Sequence, residues 1–231
     1  MTRDQPGPRV GPEGLRVSAF TTSTHEVTAR VFVPLVGERE SRWPWGPLVA
    51  KTTALSGSMV PVRTLSSTQR WSDLSADLKA LGLEGLGRTG LDVSRAAPGR
   101  TFCVALASVL ARGQDAAAEC SFFLWPGYAG ETDGLEPVVV PAALEVLSRR
   151  EGGLVLHRAP VSWLGDRTAD DDHLRLPVFV WPTDGSFLLA CPVYHDSLYV
   201  SCSARLVESM REAGFEVEVI DREVEMPGEG G

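Results

Sequence analysis

Cys191 and His195 are the closest cysteine and histidine in this chain, four residues apart. On a continuous strand, side chains that far apart point to the same side. The pair therefore has the residue types of a thiolate nucleophile and its base, provided Pro192 does not break the strand. The run FLLAC that leads into Cys191 is apolar, and a thiol in such surroundings is inert. Neither a GxSxG elbow nor an SxxK motif occurs, so no catalytic residue is assigned.

A second grouping is made of oxygen and nitrogen ligands. Asp170, Asp171, Asp172 and His173 are consecutive, and Asp184, His195 and Asp196 follow on what read as hairpin turns. Neighbours in an irregular loop do not converge on one ion, and neither zinc spacing nor a calcium loop is present. The acidic run reads as a solvated loop, and no metal or cofactor is expected. The alternative kept open is an enzyme of unknown class with a site around Asp184, His195 and Asp196.

The third grouping is aromatic: Trp43, Trp45, Trp125, Tyr128 and Trp181, several of them beside prolines. Tryptophan and tyrosine dominate interface energetics, so these residues are candidate binding residues, together with Asp184, His195 and Asp196. The same aromatics would also serve as strand-end plugs of a core. Lining a pocket of about 300 Å³ or more, they would instead make a small-molecule sensor. The glycines Gly82, Gly85, Gly87 and Gly90 trail a predicted helix. A phosphate loop lies between a strand and the start of a helix, so this is read as a linker.

The elements that must carry these groups are densest between residues 174 and 218. Two short strands, 177–181 and 187–193, flank Asp184-Gly185, a dipeptide suited to a two-residue hairpin turn. A third strand spans residues 198–202, and Ser203 is placed to cap a helix with Leu206, Val207 and Met210 on its apolar face and Gly214 past its end. A last strand alternates Phe215, Val217 and Val219 with Glu216 and Glu218, one face buried and one wet. Upstream, strands are expected at 15–20, 26–36, in short pieces over 49–65, in the first half of 119–131, and at 154–157 and 161–164. Helices are expected from Ser72 to Gly82, over 98–112 and over 141–150.

With 231 residues the chain can bury a sizeable core. Its expected fold is α+β, a mainly antiparallel sheet with three to four helices packed on one side. Residues 1–14 are expected to be a disordered tail and 15–231 a single domain, with possible sub-lobes 15–97 and 98–231. A net charge of −8 argues against nucleic acid as partner. No apolar stretch is long enough for a membrane span. The N-terminus lacks the apolar core of a secretory signal, and four cysteines without a CxxC pair suit a reducing, cytoplasmic compartment.

Cys120, Phe122, Trp125, Gly127 and Tyr128, then Pro160, then Trp181, Pro182, Asp184 and Phe187, and finally Asp196, Tyr199, Val200 and Leu206 form a pattern over the C-terminal half. This pattern resembles a family of uncharacterised actinobacterial proteins. The resemblance implies a strand and hairpin arrangement and a bacterial host, and it implies no chemistry. Gly185 and the segment 192–195 depart from that family's pattern. Taken together, these features point to a non-enzymatic binding protein, immunity-type or regulatory, whose acidity favours a basic protein partner.

Overall fold

The computed structural model describes residues 8–11, 16–32, 100–112, 118–126, 135–166, 176–192 and 197–226. The expected strand pieces over 49–65, the expected helix from Ser72 to Gly82, the glycine-rich segment 82–90 and the acidic run 170–173 lie outside them.

The strands are β1 (Val27–Phe32), β2 (Glu119–Leu124), β3 (Val155–Pro160), β4 (Phe179–Pro182), β5 (Leu188–Ala190), β6 (Ser197–Cys202) and β7 (Val217–Val219). They form one sheet in the order β3-β2-β4-β5-β6-β1-β7. Every pairing is antiparallel, so the fold is α+β as expected. β1 sits between β6 and β7, which places residues 27–32 in the same sheet as the C-terminal strands.

Period-two alternation sorts the strand side chains onto two faces. Phe122, Val180, Leu189, Val200 and Ala29 belong to one buried cluster. Phe123, Phe179, Leu188 and Tyr199 belong to the other. Helix α1 (Arg100–Leu110), the single turn α3 (Trp163–Asp166) and helix α4 (Ala204–Glu212) contribute to the first. Leu144 and Leu147, from the short 3-10 and α2 (Glu145–Ser148) segments, contribute to the second. Helical residues therefore enter both clusters.

α4 follows its sequence signals closely. The Ser203 hydroxyl accepts the Leu206 N–H at 3.3 Å, satisfying one of the donors orphaned at a helix start. At the other end Gly214 takes φ 90°. The Phe215 N–H reaches the Met210 carbonyl and the Gly214 N–H reaches that of Arg211, the paired bonds of a Schellman cap. Phe215 is thereby turned into the first cluster, where it meets Phe102 of α1 edge-on at 5.2 Å.

Several expectations are corrected. The run 15–20 holds a 3-10 turn, Val17–Ala19, and not a strand. Its Val17 and Ser18 N–H groups bond to the carbonyls of Val224 and Arg222. The run 161–164 is the start of α3, because the Ser162 carbonyl accepts the Gly165 and Asp166 N–H groups. Short apolar runs do not distinguish a strand from a helical turn. The helix over 141–150 is broken into 3-10, α and 3-10 pieces. β5 ends at Ala190, and the β4–β5 connection is longer than two residues. Within the N-terminal tail, Val10 bridges to Thr22, and Gly11 donates its N–H to the Ser18 carbonyl at 2.7 Å.

Candidate functional site

Of the residues singled out by sequence, Trp43, Trp45, Tyr128, His195 and Asp196 lie outside the described residues. Trp125, Trp181 and Asp184 lie within them. Trp181 is on β4 and buried in the second cluster, its ring tilted against Phe123 at 5.6 Å. Trp125 is half-buried against the same cluster. These two aromatics are core and core-margin residues rather than an exposed surface. A tryptophan at the end of a strand buries more apolar area by folding inward than a turn exposes.

Asp184 is exposed in the β4–β5 turn, where its carboxylate accepts the Ser186 N–H at 2.9 Å. Gly185 sits at φ 67°, a conformation that glycine adopts without steric cost. The Gly185 carbonyl lies 2.8 Å from His25 Nε2. A carbonyl only accepts, so Nε2 carries the hydrogen, and in the neutral ring Nδ1 is left to accept from the Thr24 hydroxyl, 3.4 Å away. A histidine does meet the Asp184 turn, but it is His25, 160 residues away in sequence. It braces the turn with its proton already engaged.

The thiols are equally occupied by structure. None of the four cysteines forms a disulfide, and all are buried. Burial, with a smaller push from the Asp184 charge, raises the Cys120 thiol to about 12. Burial, assisted by Glu26, does the same for Cys202. Neither is a thiolate at neutral pH. Cys191 is enclosed in the first cluster and donates its backbone N–H to the Val178 carbonyl. The Cys191–His195 pair thus lacks the exposed sulfur it requires. Among the described residues no three His, Cys, Asp or Glu side chains gather to hold a metal ion.

Two basic side chains are instead buried where the sequence reads as an apolar strand or a helix end. Arg150 is 5% exposed, and its guanidinium donates to the carbonyls of Ala19 and Gly11, tying the N-terminal segment to the second cluster. His157, on β3, is 2% exposed, and neither ring nitrogen makes a hydrogen bond. A histidine in the run LVLHRAPV was the available signal.

The other feature is the outer edge of β7. Ile220 donates its N–H to Thr28, and Phe32 donates to Glu216. Antiparallel pairing alternates, so the backbone groups of Val217 and Val219 point away from β1. Among the described residues only the Val217 carbonyl is met, by the Arg211 guanidinium at 3.4 Å. Val219 is 49% exposed, against the buried face expected for it. On the strand itself Glu218 is exposed, and Glu216 just before it is partly so.

No family model, no curated protein and no solved structure matches this chain. The resemblance to an actinobacterial family therefore stands as an expectation. No helix among the described residues is long and apolar enough to cross a membrane.

Proposed function

We propose that this chain is a non-enzymatic, cytoplasmic binding protein that engages a basic, extended segment of a protein partner along β7. The observation that supports the reading is the outer edge of β7, whose Val219 N–H and carbonyl have no partner among the described residues. Such an edge is a template for an added strand, with main-chain bonds supplying affinity and side chains supplying choice. Glu216 and Glu218 set that choice. A second copy would bring the same glutamates against these, whereas a basic strand places lysine or arginine opposite them. Four buried cysteines outside any disulfide suit a reducing compartment.

The test is a fluorescence titration with two eight-residue peptides, one alternating lysine and valine and the other glutamate and valine. The basic peptide is expected to bind and the acidic one not, with affinity falling as salt is raised. Val219→Pro removes an outward N–H that no strand uses, so the fold is retained and binding is lost. Glu218→Lys is expected to weaken the basic peptide several-fold. Equal binding of both peptides, or a Val219→Pro variant that binds like the parent, would overturn the reading.

A further inference from the structure

β3, at the far edge of the sheet from β7, is covered by a segment of its own chain. Residues 135–140 run along it and make one backbone bond to it, from the Val138 N–H to the Leu156 carbonyl at 2.8 Å. Leu135 packs against the first cluster, while Val138 and Val140 pack against the second. The segment thus passes from one face of the sheet to the other around the edge. Pro137 has no N–H to add, and Val139 points outward, 89% exposed. This is a light attachment for a segment that hides a strand edge.

His157 lies beneath it. Cross-strand from Phe122, its ring is enclosed, and the backbones of Leu135 and Glu136 approach it without completing a hydrogen bond. Phe122 in turn packs edge-on against Trp163 of α3, which leaves the β2 and α3 side apolar. Cys120, two residues along β2, is a neutral thiol. The charged group that acts on the ring, among the described residues, is Glu136. Burial lowers the pKa of His157, and this outweighs the raising effects of the Glu136 and Leu135 backbone and of the Glu136 charge.

We propose that residues 135–140 form an acid-released strap: protonation of His157 lifts the segment from β3 and bares that edge to solvent. An imidazolium under the strap is a buried charge that the adjacent carbonyls do not fully solvate. Lifting the strap hydrates it. Because the closed form holds the neutral ring, the strap is closed above the ordinary histidine range near 6.5 and is progressively released below it. The released edge carries the Leu156 carbonyl and the backbone groups of Arg158, which alternate outward from β2.

Hydrogen–deuterium exchange of the whole chain at pH 7.5 and 5.5, corrected for intrinsic rates, tests this directly. Protection of peptides covering 135–140 and 155–158 is expected to fall on acidification, by up to about tenfold per pH unit for one proton, while α1 and β6 stay protected. His157→Gln, checked for folding by circular dichroism at pH 7.5, is expected to remove the pH dependence. Glu136→Gln alters only an exposed side chain and deletes the charge that favours the imidazolium, so acid release is expected to increase. Unchanged protection in the parent, loss of α1 and β6 protection together with the strap, or an undiminished acid response in His157→Gln would each overturn the proposal.

Discussion

The two edges of the sheet are finished in different ways. At β3 the last strand is six residues long and its edge is covered by residues 135–140, with Leu156 fully buried beneath. At β7 the last strand is three residues long, the outward backbone groups of Val219 have no partner among the described residues, and Glu216 and Glu218 alternate along it. Both are known ways of preventing edge-to-edge aggregation. A covered edge excludes every partner until the cover moves, whereas a charged short edge excludes only partners of like charge. One edge is thus guarded by chain and the other by charge.

Substitutions at the two edges are expected to differ in scale. Leu156→Ala removes a fully buried side chain from the second cluster and is expected to cost about 2–5 kcal/mol in a denaturant titration. Gly165→Ala tests how firmly the chain leaving β3 is pinned. A Cβ there would stand 2.8 Å from the Val104 Cα of α1, and the forced shift is expected to cost about 1–3 kcal/mol. Val138→Pro deletes the strap's bond to Leu156 and is expected to cost about 1 kcal/mol. It should also expose the β3 edge to exchange already at pH 7.5, without His157.

Acid has an intermediate effect. Since the folded His157 pKa is lowered, the unfolded chain binds more protons below about 6.5, and this residue's contribution to stability is present above that value and lost as pH falls. The slope is at most about 1.4 kcal/mol per pH unit, and His157→Gln is expected to flatten it. The smallest effect belongs to β7. Val219→Ala is expected to change stability by less than about 0.5 kcal/mol; a loss comparable to that of Leu156→Ala would show that this edge is covered and end the contrast.

Much of the fold was legible. β2, β6 and α4 lie where apolar alternation, Ser203 and Gly214 mark them, because these signals are local and the bonds they promote form within a few residues. The reading failed at 15–20 and 161–164, where short apolar runs fit a strand or a turn equally well. At Trp181 it left an exposed surface and a core plug both open, and the packing of that strand face places the ring in the core. The candidate site was less legible. His25 reaches the Asp184 turn only because the segment before β1 is folded back beside the β4–β5 hairpin, and nothing in the spacing of the two residues announces that contact.

Composition and local pattern settled the class of fold, the acidity of the chain, the lack of a GxSxG, SxxK or CxxC motif and the glutamate alternation of β7. Each is a property of composition or of residues within a turn of one another. Long-range pairing settled which strands lie at the edges among the described residues, that residues 135–140 would cover one of them, and that Arg150 and His157 would be buried. An edge is defined by the neighbour a strand lacks, and a buried polar group by what distant segments place over it. Both depend on pairings between segments far apart in the chain, which local pattern does not encode.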